Sequence, residues 1–266
     1  MNIELIKYII QNMCSKEHIY SIYNHYHIEY RKSDSYNILI KRFIDSNIEI
    51  ELDFITRYFR DNWVGSPIEK HLENLTSGLL QGHSWHGAMP SMLHLSLQNK
   101  VRNHINGDIN LEELIRIGAD IMKHEYFMVC VHDMCESYLI NSFNDCIPPI
   151  RKKSISDFVF KGIPYDLKIS NNIEGYGKDY INQNKEEIIN KLLEGADIQR
   201  LRNQAKNTFN NWGSNRFYLL VQNQDRWLDD PKDVLKEFIE QVHQLEEPIQ
   251  IEIESNYVIL CQIIAI

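Results

Sequence analysis

Apolar residues recur at helical spacing through the first half of the chain. In the stretches 3–10, 68–80 and 111–122, isoleucine or leucine returns every three or four residues, so each helix would have one apolar face. Asn110 stands directly before the third stretch and is its predicted N-cap. The pattern predicts a mainly helical portion over residues 1–145.

The pattern changes at residues 145–149, where two prolines end any helix. Two short runs rich in β-branched and aromatic residues follow, at 154–160 and 165–170, and the turn between them contains Gly162. Runs of this kind around a glycine turn are typical of a β-hairpin. The sequence therefore predicts two antiparallel strands soon after the helical portion.

The remaining elements mix helices and strands. The continuous apolar run at 216–221 is typical of a strand that is buried on both faces. The other predicted elements are helices at 184–195 and 198–211, a helix that begins at Asp230, and a terminal hairpin over 249–264. This order predicts an α/β fold, with a helical N-terminal portion (1–145) and an α/β core (146–266). The two portions could also form one continuous domain.

Composition narrows the class of protein. The chain has 266 residues, of which 43% are hydrophobic and 24% charged, as in folded globular proteins. Its five cysteines form no Cys-x-x-Cys pair, so neither a disulfide framework nor a zinc ribbon is predicted. No stretch resembles a signal peptide or a membrane span, so a cytoplasmic protein is expected. The net charge of −9 argues against a general nucleic-acid coat but allows a local basic strip.

The predicted hairpin carries charged side chains. Asp166 and Lys168 lie two residues apart on the second strand, so both point to the same face. Asp157 lies on the partner strand. Two carboxylates at close range repel unless a cation joins them, and hard oxygen ligands of this kind suit Mg²⁺. The alternative is a surface hairpin whose Asp166 and Lys168 are merely solvated neighbours.

This segment resembles a known family. Asp157, an eight-residue gap and then Asp166-Leu167-Lys168 are similar to the signature of the PD-(D/E)xK nuclease superfamily, whose best-known members are type II restriction endonucleases. The order of two strands, a helix and a further strand also resembles the core of that superfamily. The resemblance covers roughly residues 155–221. Ser156 stands where the signature has proline, which is often replaced in the superfamily.

The resemblance implies a mixed β-sheet core of restriction-endonuclease type, flanked by helices. It implies that Asp157 and Asp166 bind Mg²⁺ and that the backbone carbonyl of Leu167 is a further metal ligand. Lys168 would act on the attacking water. Glu136 is the candidate, by position only, for a metal-binding carboxylate from a preceding helix.

The implied function is a Mg²⁺-dependent endonuclease that hydrolyses phosphodiester bonds in double-stranded DNA, most simply a type II restriction enzyme. Palindrome cutting would imply a homodimer, with the helical portion providing dimer contacts, DNA contacts or both. Two basic strips near the hairpin are candidates for phosphate contacts, although each residue could also lie on an ordinary solvated surface. The predicted DNA-binding residues are Arg151, Lys152, Lys153, Arg200, Arg202 and Lys206.

Other groups of residues suggest different functions but match their motifs less well. His83 and His86 could share a metal with a third histidine, His94 or His132; a loop that contacts DNA or packs against a partner is the favoured interpretation. Cys130, His132 and Asp133 would not all share one helical face, so a cysteine nucleophile at Cys130 is disfavoured. No glycine-rich phosphate loop occurs, so no nucleotide cofactor is expected. Two alternatives stay open: a non-enzymatic α/β binding or assembly module, and a structure-specific repair or recombination nuclease of the same fold.

Overall fold

Six helices precede the first strand in the part of the chain that the structure describes. This structure is a computed structural model, and it describes residues 3–46, 48–65, 68–69, 72, 91–151, 154–171, 176–194, 215–254 and 257–266. The six helices are α1 (Ile3–Met13), α2 (Lys16–His25), α3 (Tyr36–Asp45), α4 (Leu52–Asn62), α5 (Ser91–Ile105) and α6 (Leu111–Ser142). The later helices are α7 (Lys178–Gln183), α8 (Lys185–Leu193), α9 (Gln224–Asp229) and α10 (Pro231–His243).

Five strands form one mixed sheet. They are β1 (Phe158–Phe160), β2 (Ile163–Asn171), β3 (Arg216–Val221), β4 (Ile249–Glu254) and β5 (Tyr257–Ala265). Their order across the sheet is β1-β2-β3-β5-β4. The three central strands run parallel, and the two edge strands pair antiparallel to their neighbours. All six residues of β3 are buried, because helices cover both faces of the sheet at its centre.

Each face of the sheet packs against its own helices. Phe217 and Leu219 of β3 share a hydrophobic cluster with α6 and α10. Tyr218 and Leu220, which alternate with them, share a second cluster with α7 and α8. The core is therefore built as a helix layer, the sheet, and a second helix layer.

The first four helices form a third hydrophobic cluster. It includes the apolar faces of α1–α4 and reaches the sheet through Ile147 and Val159. Ile147 also forms an isolated antiparallel bridge with Val159. This cluster places α1 beside the hairpin of β1 and β2.

The long helix α6 is held at both ends. Its N-cap Asn110 accepts a hydrogen bond from the Glu113 amide at 2.8 Å, as the sequence predicts. Arg60 of α4 donates to the carbonyls of Ile140 and Phe143 at 2.7 and 2.9 Å, close to the end of the helix. Because the last carbonyls of a helix lack internal partners, this arginine ties the helical N-terminal elements to α6.

The α/β class predicted from the sequence is confirmed. The hairpin, the buried strand at 216–221 and the terminal hairpin are present as β1–β2, β3 and β4–β5. The helix predicted over 184–195 is observed as α8, with the separate short helix α7 before it. The helix predicted over 198–211 and most of the one predicted over 68–80 lie outside the described residues. Among the described helices, none combines the length and apolar character that a membrane span needs.

Candidate active site

Asp157 reaches across the hairpin at the point where β1 begins. Its amide donates to the carbonyl of Tyr165 at 2.8 Å. Its side-chain Oδ2 accepts the amide of Leu167 at 2.7 Å, so the carboxylate lies against the backbone of β2. The N–H and C=O of a strand residue point to the same side. The Leu167 carbonyl therefore also faces the Asp157 side of β2.

Asp166 and Lys168 share a face of β2, as their spacing predicts. The ammonium Nζ of Lys168 lies 2.7 Å from Oδ1 of Asp166. The side chain of Lys168 keeps 25% of its surface exposed, whereas that of Asp166 keeps 12%. Lys168 is therefore the member of the pair with access to solvent.

The second oxygen of Asp166 is held by a buried arginine. Arg216 is the register partner of Asp166 on β3. Its Nη1 lies 3.2 Å from Oδ2 of Asp166, and its side chain is fully buried. Burial raises the pKa of the Asp166 carboxyl above its ordinary value, with Lys168 and Arg216 opposing the shift and the charge of Asp157 adding to it. The two aspartates are therefore close enough to influence each other.

Asn215 joins the strand ends next to the Asp166–Arg216 pair. Its side-chain amide donates to the Pro164 carbonyl at 3.1 Å, and its Oδ1 accepts the Leu260 amide at 2.9 Å. Its own carbonyl accepts the Asp166 amide at 3.1 Å. One buried side chain thus joins three neighbouring strands next to Asp166.

Helix α6 brings an imidazole and further carboxylates to the hairpin. Nε2 of His132 lies 3.5 Å from Oδ2 of Asp157. Its Nδ1 lies 3.4 Å from Asp133 and 3.9 Å from Oε2 of Glu136. One ligand atom each from His132, Asp133 and Glu136 lie within 4.8 Å of one another. The imidazole of His132 therefore lies between Glu136 and Asp157, and the role of Glu136 as a metal ligand stays a prediction.

The charges of this cluster depend on one another. Burial by itself would lower the pKa of His132, but its hydrogen bonds to Asp133 and Asp157 and the charge of Glu136 raise that pKa to about 10. Burial raises the pKa of Glu136 to about 8, against the opposing charge of His132. Burial also tends to raise the pKa of Asp157, but the hydrogen bond and charge of His132 lower it overall. A protonated His132 thus acts as an internal cation among carboxylates.

Helix α1 closes the site from the N-terminal side. The hydroxyl of Tyr8 lies 2.6 Å from Oγ of Ser156, the residue before Asp157. Burial raises the pKa of Tyr8 to about 12, so its hydroxyl keeps its proton at neutral pH. Ser156, which replaces the proline of the resembled signature, therefore has a structural partner here.

A cleft opens beside these residues. It has a volume of about 290 Å³ and lies between α6 and β2. His132 and Asp133 line one side, and Leu167 and Lys168 line the other. The cleft gives a substrate group access to the ammonium of Lys168.

The predicted DNA-binding residues are only partly described. Arg151 is exposed, and its guanidinium lies against α1 and α3, where Nη1 is 3.4 Å from the Gln11 carbonyl. The other residues proposed for DNA contacts lie outside the described part of the chain; they are Lys152, Lys153, Arg200, Arg202 and Lys206. The loop with His83 and His86 also lies outside it.

Two side chains of the cluster were missed from the sequence. Arg216 is absent from the predicted site residues, but it is buried and paired with Asp166. The signal was a charged residue at the head of an otherwise apolar strand, because a buried charge needs a partner. His132 is predicted as a possible third ligand for His83 and His86 and as a neighbour in the disfavoured Cys130 site, not as a partner of Asp157. Its i,i+4 spacing to Glu136 is the usable signal.

Comparison with known protein families, with curated proteins and with solved structures gives no match for this chain.

Proposed function

We propose that the chain is a Mg²⁺-dependent endonuclease with a core of restriction-endonuclease type, most simply a type II restriction enzyme that cuts double-stranded DNA as a homodimer. One observation carries the proposal: Asp166 and Lys168 pair at 2.7 Å on β2, Asp157 accepts the amide of Leu167 between them, and Lys168 lines an open cleft. Asp157, Asp166 and Lys168 also match the signature in sequence, so the motif and these contacts both support the proposal.

The carboxylates fit a hard divalent cation. Oδ2 of Asp157 accepts the Leu167 amide and lies 3.5 Å from Nε2 of His132. Oδ1 has no hydrogen-bond partner among the described residues. Oxygen ligands of this type suit Mg²⁺. Asp157 and Asp166 would hold the ion, with the Leu167 carbonyl and Glu136 as further ligands. Mg²⁺ bound there would polarise a phosphoryl oxygen and lower the pKa of water.

The chain's own residues supply the rest of the chemistry. Arg216 fixes one oxygen of Asp166, so the carboxylate presents Oδ1 toward Lys168. Lys168 lines the cleft and would orient the attacking water or stabilise the charge that develops on phosphorus. Leu167 fixes Asp157 through its amide. These contacts hold the two carboxylates in place before a substrate arrives.

Supercoiled plasmid incubated with the purified protein tests the proposal. Cleavage is expected with Mg²⁺ and is expected to be lost with EDTA. Lys168→Ala should lower the cleavage rate by at least about 100-fold, in the range that a positioned proton-transfer group contributes. Lys236→Ala, which removes an ammonium that is 74% exposed on α10, is the matched control and should cleave normally. Unchanged cleavage by Lys168→Ala would refute the mechanism.

One observation favours a second candidate, a non-enzymatic α/β module. Each carboxylate of the cluster already has a cation or a proton as its partner, because His132, Lys168 and Arg216 surround them. Such a network could simply hold α6 on the sheet. No cleavage of any DNA with Mg²⁺ would favour this module. Discrete bands would support a restriction enzyme, and cleavage limited to branched or damaged DNA would support a repair nuclease.

A further inference from the structure

A second cavity lies away from the hairpin cleft, between α1 and α3. Its volume is about 570 Å³, within the range of about 300–1,000 Å³ that small-molecule sites occupy. Lys7, Lys41 and Arg151 line it, and none of the described residues that line it is acidic. In a chain with a net charge of −9, this is a local concentration of positive charge. The cavity therefore suits an anion.

Two of the three cations are available to a ligand. Lys7 is paired with Glu4 at 2.9 Å. Lys41 is exposed and has no ion-pair partner among the described residues. Arg151 is also exposed, and among the described residues it contacts a carbonyl oxygen and an aromatic ring rather than a carboxylate. An anion in the cavity would thus meet two cations that no described carboxylate neutralises.

The guanidinium of Arg151 is held in position before any ligand binds. It lies 5.2 Å from the centre of the Tyr36 ring, as in a cation–π contact. The Tyr36 hydroxyl donates to the Gln11 carbonyl at 2.6 Å, at the last turn of α1. Because that carbonyl lies at a helix end, the tyrosine also satisfies a group that the helix leaves unpaired. The ring and the guanidinium thus lie together in the wall of the cavity.

The rest of the lining is apolar or carries amides. Ile40 is buried and Ile44 is 43% exposed, and both contribute an apolar surface next to Tyr36. Asn37 and Gln11 add side-chain amides, which can donate and accept hydrogen bonds. The cavity thus joins a cationic side to an apolar side with neutral polar groups between them.

We propose that this cavity binds a nucleotide, with the phosphate on Lys41 and Arg151 and the base against the apolar side. A phosphate alone would leave the apolar side unused, and an apolar ligand would leave the cations unpaired. The same chemistry is offered by a free nucleotide and by one unit of a nucleic-acid strand. Binding of a strand fits the proposed nuclease, whereas binding of a free nucleotide needs no cleavage activity.

The cavity is connected to the hairpin by a short segment. The Ile150 amide donates to the Met13 carbonyl at 2.9 Å, and the Ser154 hydroxyl donates to the Asn12 carbonyl at 3.2 Å. These contacts hold Ile150 and Ser154, on either side of Arg151, against the end of α1. A strand bound at the cavity would therefore lie on the same structural unit that positions Asp157.

Calorimetric titration of the full chain in EDTA tests the proposal. The probes are adenosine 5′-monophosphate, inorganic phosphate, adenosine, and a single strand of four nucleotides. The monophosphate is expected to bind at least about tenfold more tightly than phosphate or adenosine. Lys41→Gln and Arg151→Gln should each weaken that binding at least about fivefold, in line with loss of one charge-assisted hydrogen bond. Lys236→Gln is the matched control and should bind within about twofold of the wild type.

The outcomes separate the ligand sources and the two proposals. Tighter binding of the four-nucleotide strand than of the monophosphate supports a nucleic-acid strand, and equal binding supports a free nucleotide. Nucleotide binding without plasmid cleavage would support the cavity proposal and contradict the nuclease proposal. No binding of either nucleotide probe at millimolar concentration overturns the cavity proposal, even if plasmid is cleaved. The proposal is also overturned if inorganic phosphate binds as tightly as the monophosphate, or if Lys41→Gln and Arg151→Gln both bind the monophosphate as tightly as the wild type does.

Discussion

Arg216→Met removes the guanidinium that holds Asp166 while keeping an apolar side chain of comparable reach in the sheet. Asp166 would then remain in a site where its side chain is only 12% exposed, with Lys168 at 2.7 Å as its one remaining ion-pair partner among the described residues. Removing one partner of a buried ion pair costs about 3–5 kcal/mol because the other charge stays buried. Since Lys168 still compensates part of that charge, we expect about 3 kcal/mol.

Urea unfolding and thermal unfolding at pH 7.5 measure this cost. For a chain of this size, about 3 kcal/mol corresponds to a fall in melting temperature of about 6–12 °C. Arg226→Met is the matched control, because Arg226 is 44% exposed and pairs with Glu237 at 2.9 Å on the surface. Loss of a surface pair should cost less than about 1 kcal/mol.

The cost of Arg216→Met should depend on pH. The pKa of Asp166 is already raised in the folded protein, and losing the arginine raises it further. A carboxyl whose pKa is raised on folding stabilises the protein below its unfolded pKa, and that contribution is lost as pH rises through the folded pKa. The cost relative to the wild type is therefore full above the raised pKa and shrinks as pH falls toward about 4.

Asp166→Asn is the complementary variant. It leaves Arg216 buried without a carboxylate, and a guanidinium cannot release its proton near neutral pH. Because an amide mimics the protonated carboxyl, the stability of this variant should approach that of the wild type as pH falls toward about 4. Two results would contradict a stabilising Arg216–Asp166 ion pair. Arg216→Met could lower the free energy of unfolding no more than Arg226→Met at pH 7.5, or its effect could stay constant down to pH 5.

Two further predictions concern neighbouring residues. His132 has its pKa raised to about 10, so its stabilisation is complete below about 6.5 and is lost as pH rises through 10; His132→Gln should flatten the fall in urea midpoint between pH 6.5 and 9.5, and an unchanged slope would contradict this. Asn215→Ala should cost about 2–3 kcal/mol, because it leaves the Pro164 carbonyl and the Leu260 amide without their partner. Asn190→Ala, at an exposed position of α8, should change stability by less than about 0.5 kcal/mol in the same assay.

The elements with a strong local pattern were predictable. The apolar run of β3 and the β-branched and aromatic runs of β1 and β2 are strong local signals, so the sequence predicted these strands. The short helix α7 was missed because only Ile181 among its six residues is buried, which leaves no period to detect. The order of the strands across the sheet was not predictable either, since the parallel pairing of β3 with β2 and β5 depends on contacts between distant segments.

The site shows the same division. That Asp166 and Lys168 share a face follows from the period of a strand, and their 2.7 Å contact confirms it. The catalytic and metal-binding roles of these residues stay predictions. The pairing of Arg216 with Asp166 depends on the register of β3 against β2, which no spacing in the sequence encodes. The approach of His132 to Asp157 depends on where α6 crosses the hairpin.

The local charge balance sets a condition on the nuclease proposal. Four carboxylates, those of Asp133, Glu136, Asp157 and Asp166, face the cations of His132, Lys168 and Arg216. The network is therefore close to neutral, and a divalent cation would make it positive unless a proton or an ammonium left. Arg216 is fully buried and has no exit, whereas Lys168 is 25% exposed and lines the cleft. Lys168 can therefore leave Asp166 more easily than Arg216 can, and Lys168 is the residue that the proposed mechanism needs in the cleft.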